Sequence, residues 1–254
     1  MRRPLVMGNW KMHGRRTEAA LLLGSLKSQV GLLDGVDVVV CPPYPFLPMA
    51  AEAFRDNSVI AWGAQNLSAY DEGAYTGEVS GRMLHDFGCR FVIIGHSERR
   101  ALFGETDDLV AMKFGRAQAE GLIPVLCVGE TLAEKKANHT AQVVGNQIEA
   151  VFRHVGAQAF RNAVIAYEPV WAIGSGLAAT PSEAEGVHSF IRGAVYGRDP
   201  EAASALRILY GGSVKAQNAR ELFAQANIDG GLIGGAALNA AEFASICHAA
   251  AKGP

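Results

Sequence analysis

The chain has 254 residues, 49% of them hydrophobic, and a formal net charge of −2 at pH 7. That size fits one large domain or two small ones with a substantial core, and single α/β barrels commonly run to about this length. Charges of both signs are interspersed and no apolar run nears the roughly 18 residues of a membrane span, which argues against nucleic-acid and membrane partners.

In chain order, a strand is predicted over 5–9, ending in Asn9 and followed closely by Lys11, then a helix over 17–30. Strand 36–41 precedes helix 46–54. Strand 59–65 runs into a polar, glycine-containing stretch that starts at Ala69 and ends at Glu78, and helix 80–87 follows. Strand 91–95 leads into Gly95-His96-Ser97-Glu98, and helix 107–120 comes next. Strand 123–128 is followed by one long helix over 132–155 and a short turn over 157–162. Strand 164–167 delivers Glu168, and Pro169 stops strand pairing because it has no N–H to donate. Thr180, Pro181 and Glu183 then read as the N-cap, first turn and capping box of a helix over 182–196. Strand 207–211 runs into Gly212-Ser213 before helix 216–224, and strand 231–233 into Gly234-Gly235 before helix 240–250.

The alternation repeats eight times, and most strands are apolar throughout, as parallel strands buried on both faces require. The expectation is a single (β/α)8 barrel over residues 1–254. A doubly wound open sheet is the alternative, but Gly8-Asn9-Trp10-Lys11-Met12-His13-Gly14 lacks the glycine spacing of a dinucleotide turn. Cys41, Cys89, Cys127 and Cys247 are widely separated, which points to buried thiols and not to zinc or disulfides. Met1-Arg2-Arg3 opens on basic residues, but Asn9, Trp10 and Lys11 interrupt the apolar run of a secretion signal, so a cytoplasmic location is expected. On that reading the sequons at Asn66 and Asn138 are chance matches.

In such a barrel, chemistry collects at the carboxyl ends of the strands. Those ends here carry Asn9, Lys11, His96, Glu168, Ser213, Gly234 and Gly235. Glu168 can accept a proton from carbon, His96 can hydrogen-bond an oxygen as charge builds there, and Lys11 can offset negative charge. The glycines and Ser213 can present backbone N–H groups to a phosphate. Glu98 either pairs with Arg99 or organises Lys11; a supporting role is expected.

Six strings, in order, resemble the triosephosphate isomerase family over essentially the whole chain. They are Gly8-Asn9-Trp10-Lys11-Met12, Gly73-Ala74-Tyr75-Thr76-Gly77-Glu78, Ile94-Gly95-His96-Ser97-Glu98-Arg99-Arg100, Tyr167-Glu168-Pro169-Val170-Trp171-Ala172-Ile173-Gly174, Tyr210-Gly211-Gly212-Ser213-Val214 and Ile233-Gly234-Gly235-Ala236. The resemblance implies a TIM barrel that interconverts dihydroxyacetone phosphate and D-glyceraldehyde 3-phosphate, in glycolysis and gluconeogenesis, with no cofactor and no metal. It implies Glu168 as base, His96 as electrophile, Lys11 as charge balance and Asn9 as a substrate contact. It also implies a lid over 169–179, with Gly174 donating to the phosphate beside Ser213, Gly234 and Gly235. Residues 69–78 become the arm of a homodimer, with Thr76 near the partner's Asn9 and the partner's Lys11. His13, Ser175 and Leu177 depart from common family residues, and none touches the implied chemistry. Two other readings stay open: an aldolase forming a Schiff base on Lys11, and an inactive barrel kept for binding.

Overall fold

The structure, a computed structural model, describes residues 2–57, 59–173 and 179–251. Eight parallel strands close into a barrel in sequence order, β1 pairing with β8. They are β1 (Leu5–Asn9), β2 (Asp37–Cys41), β3 (Ile60–Ala64), β4 (Phe91–Ile94), β5 (Ile123–Val128), β6 (Val164–Tyr167), β7 (Arg207–Tyr210) and β8 (Gly230–Ile233). Around them lie α1 (Arg16–Val30), α2 (Leu47–Phe54), α3 (Gly81–Asp86), α4 (Ser97–Phe103), α5 (Asp107–Ala119), α6 (Leu132–Lys136), α7 (Thr140–Val155), α8 (Pro181–Tyr196), α9 (Pro200–Ala205), α10 (Ala216–Phe223) and α11 (Ala240–Ala251). No helix among the described residues is long and apolar enough to cross a membrane.

Successive strand side chains point to opposite faces, and this splits the core in two. Leu5 and Met7, Val39 and Cys41, Phe91 and Ile93, Val125 and Cys127, and Val164 and Ala166 fill the barrel interior, with Leu209 and Leu232. The alternate residues, such as Val6, Val40, Ile94, Leu126 and Ile165, face the helices. Following the inward series upward places Asn9 and Glu168 at the carboxyl mouth. Glycine occupies the same inward series at positions 95, 129, 211 and 234. The mouth is therefore open above a packed interior.

Three element assignments differ from the sequence reading. The helix expected over 132–155 is two helices, because Asn138 adopts a left-handed conformation (φ 59°) that breaks the run. Asparagine tolerates that conformation better than most residues. The α4 helix was not anticipated; it begins at His96, whose ring nitrogen accepts the Glu98 amide, and ends at Gly104 with φ 67°. Neither was α9, although Asp199 caps it and Pro200 opens it.

The four cysteines are buried and unpaired. His188 lies fully buried on α8, with its Nδ1 3.2 Å from the carbonyl oxygen of Asn227. Burial pulls its pKa down to about 3. Unfolded, His188 regains a pKa near the usual value of about 6.5. As pH falls below about 6.5 the unfolded chain takes up a proton that the native chain refuses until about pH 3. Stability is thus complete above that upper limit and falls by about 1.4 kcal/mol per pH unit within the window. Urea unfolding of wild type and His188→Gln at a series of pH values should show their stability difference shrinking between about pH 6 and 4. A constant difference would contradict the assignment.

Candidate active site

Glu168 follows β6 directly and is only 2% exposed. Its Oε1 lies 2.9 Å from His96 Nε2, and its Oε2 accepts the backbone N–H of Ser97 at 2.9 Å. The Nδ1 of His96 accepts the Glu98 N–H at 3.2 Å. An accepting Nδ1 carries no proton, so the hydrogen-bond network assigns the ring proton to Nε2, facing Glu168. Burial works to raise the Glu168 pKa, yet His96 and the Ser97 N–H hold it below the usual carboxylate value. Burial likewise works to lower the His96 pKa, and the Glu168 carboxylate more than offsets it, so it is raised.

Glycines shape the space around this pair. A side chain at Gly129 would run into the backbone carbonyl of Glu168, and one at Gly211 would sit 2.9 Å from Glu168 Cγ. Gly95 needs no side chain for a different reason: its φ of 68° suits glycine. Beneath it, Arg100 donates to the carbonyls of Gly95 (2.7 Å) and Cys127 (3.3 Å) and so fastens the ends of β4 and β5 together.

Lys11 enters from the turn after β1. Its Nζ pairs with Glu98 Oε1 at 2.7 Å, while Arg99 pairs with Glu105 at 2.6 Å, so Glu98 contacts Lys11 and not Arg99. The Lys11 N–H donates to Asn9 Oδ1 at 3.0 Å. Across the mouth, the backbone N–H groups of Ser213, Gly234 and Gly235 make no hydrogen bonds among the described residues. Asn9, Lys11, His96, Glu168, Ser213, Gly234 and Gly235 line one cavity of about 330 Å³. Gly174, like Ser175 and Leu177, lies outside the described residues.

Ile173, within the expected lid, also lines the cavity. Several participants escaped the sequence reading. Lys215 and Leu232 line the cavity too. Glu130, 1% exposed, accepts from Tyr167 Oη (3.1 and 3.2 Å) and from Trp171 Nε1 (2.9 Å), tying the end of β6 to the segment after Pro169. It sits just past β5 as Glu168 sits just past β6, and that shared placement is the signal that could have found it. Gln65, which donates from Nε2 to the carbonyls of Lys11 and Cys41, has no comparable mark in the sequence.

A closed parallel barrel whose carboxyl mouth joins a buried acid, an imidazole, an ammonium and backbone N–H donors is an α/β-barrel enzyme arranged for proton transfer beside an anionic group. The family model for "Triosephosphate isomerase" matches residues 4–250. The chain belongs to the triosephosphate isomerase family. It is similar to the triosephosphate isomerase of Thiobacillus denitrificans, 56% identical over 99% of this chain and all of the relative. Those of Dechloromonas aromatica (56%, 98% of this chain, all of the relative) and Nitrosomonas eutropha (54%, 96% and 97%) are similar too.

The His96–Glu168 coupling can be read by NMR. In Glu168→Gln the burial of His96 persists but the offsetting charge is gone, so its pKa should fall. An unchanged His96 titration would show that the pair does not control the imidazole.

Proposed function

We propose that the protein interconverts dihydroxyacetone phosphate and D-glyceraldehyde 3-phosphate through an enediolate, in the cytoplasm, as part of glycolysis and gluconeogenesis. The observation that carries this reading is one cavity holding a buried carboxylate–imidazole pair, an ammonium and three backbone N–H groups that make no hydrogen bond among the described residues. Its volume of about 330 Å³ suits a small phosphorylated triose.

In the proposed cycle the phosphate sits on the N–H groups of Ser213, Gly234 and Gly235, with Gly174 as a further donor. The substrate carbonyl oxygen takes the Nε2–H of His96, which at present goes to Glu168. That exchange frees a carboxylate oxygen. Glu168 then removes a proton from the carbon beside the carbonyl, and the C–H electron pair becomes the C=C bond of an enediolate. His96 hydrogen-bonds the resulting oxyanion and moves protons between the two oxygens. Lys11, held by Glu98, offsets the added negative charge, and Asn9 contacts a substrate oxygen. Glu168 returns its proton to the neighbouring carbon. Water must be kept out meanwhile, because an exposed enediolate loses phosphate. Ile173, at the cavity edge, is one apolar wall suited to that task.

A homodimer belongs to the same proposal. Residues 71–78 are all exposed, and the arm is fastened at its base by the Ser68 N–H to the Val79 carbonyl (2.8 Å). Within it Tyr70 and Tyr75 stack with ring centres 4.3 Å apart. A built, projecting loop of this kind suits a docking element. Met12 (94% exposed), beside Lys11, and Leu102 and Phe103 (74% and 68%), on the helix that begins after His96, are apolar surfaces that a partner would cover. In the dimer, Thr76 of the arm lies near the partner's Asn9 and the partner's Lys11.

In a coupled assay, wild type should turn over glyceraldehyde 3-phosphate rapidly, and Glu168→Gln should lose about 10²- to 10⁴-fold in kcat while still binding a triose-phosphate analogue. Trapping of substrate on Lys11 by borohydride, without isomerisation, would favour an aldolase instead. Sedimentation should give a dimer, and replacing residues 71–78 by a short glycine loop should give a monomer of much lower activity. A fully active monomer would defeat the dimer proposal.

A further inference from the structure

Lys11 has an unusual backbone. Its φ of 52° is left-handed, a conformation that disfavours side-chain-bearing residues and persists only where neighbours enforce it. Three contacts surround this turn. The Lys11 N–H donates to Asn9 Oδ1, and the Trp10 N–H donates to the Cys41 carbonyl at 3.1 Å. The third contact comes from outside the turn. Gln65, immediately after β3, donates from Nε2 to the Lys11 carbonyl and to the Cys41 carbonyl, each at 2.9 Å. One side-chain amide thus holds the carbonyl of the left-handed residue against the end of β2.

That backbone decides where the ammonium goes. From it the Lys11 side chain runs past Gly234, where a Cβ would lie 3.4 Å from Lys11 Cε, to Glu98 Oε1. An extended conformation at Lys11 would send the side chain elsewhere. Asn9 is fixed by inward strand alternation and Glu98 by the start of α4, so Gln65 supplies the constraint that neither provides.

We propose that Gln65 is a positioning residue for Lys11: its two N–H groups hold the left-handed turn that aims the ammonium into the cavity. This rests on the reading of Lys11 as the charge-balancing group. Gln65 does not bond the ammonium itself, and its effect is transmitted through the Lys11 backbone.

The test is a double-mutant cycle in the full-length protein, combining Gln65→Met, which keeps length and removes both donors, with Lys11→Ala. Two readouts are used: kcat/KM for glyceraldehyde 3-phosphate, and affinity for inorganic phosphate by calorimetry. Gln65→Met should lower kcat/KM by about tenfold or more in the wild-type background and by less than about threefold once Lys11 is alanine. Phosphate affinity should follow the same pattern. Gln65→His, which keeps one donor, should lose less than Gln65→Met, and it carries the test if the methionine variant does not fold. Equal losses with and without Lys11, or a fall in Tm with kcat/KM unchanged, would show Gln65 to be only a fastening between the β1 and β2 ends. A folded wild type that binds phosphate but does not isomerise the triose would defeat the proposed function, and the phosphate arm of the cycle would still decide the role of Gln65.

Discussion

Keeping a carboxylate charged while burying it is the constraint on which the site depends. Moving an ion out of water costs several kcal/mol unless hydrogen bonds or opposite charge compensate. Glu168 is compensated from one direction by the Nε2–H of His96 and from another by the Ser97 N–H. Both groups lie at the start of α4, so a short helix sets the state of an acid carried by a different strand. Its neighbours at the same height, Gly129 and Gly211, are small because any side chain there meets Glu168. In the proposed cycle the compensation is reversible, because a substrate oxygen competes for the same Nε2–H.

A second level of organisation keeps the charges near that carboxylate in order. Glu98 holds Lys11, so the ammonium is already paired in the free site and its charge is directed. Glu130 draws together Tyr167 and Trp171 on either side of Glu168 and Pro169. Further out, buried Glu105 accepts from Lys113 and Arg99. Burial alone would raise the Glu105 pKa, but those cations hold it below the usual value. This network reaches Asn66, to which Lys113 donates at 2.8 Å, and so joins α5 to the residues just ahead of the arm. The barrel interior supplies the rigid base for all of it, with Cys127 packed beneath Glu168. Burial and the nearby Glu168 charge keep the Cys127 thiol protonated, its pKa raised well above the ordinary value.

Much of this was readable in the sequence, for identifiable reasons. Apolar runs of four to six residues are long enough to mark each strand, and strand alternation carries Asn9 and Glu168 inward without any tertiary knowledge. Thr180-Pro181 and Glu183 announced α8 because capping is a local interaction. The missed elements depend on contacts distant in sequence or on single backbone conformations. The start of α4 is capped by an imidazole, which no common capping pattern includes, and the break between α6 and α7 rests on one asparagine. Gln65 is invisible for a related reason: its partners lie 54 and 24 residues earlier, and a glutamine after a strand has no distinctive pattern of its own. Glu98 could be placed only once the distances separated Lys11 from Arg99 as its partner.

The most direct test of the central claim, that Glu168 is a single base passing a proton between adjacent carbons, is to run the isomerisation in D2O and locate the isotope by NMR. With dihydroxyacetone phosphate as substrate, proton transfer through a carboxylate that exchanges with solvent predicts deuterium at C2 of the glyceraldehyde 3-phosphate formed. Complete retention of the original hydrogen, with no deuterium at that carbon, would indicate direct hydride migration and would contradict the assignment of Glu168 as the base.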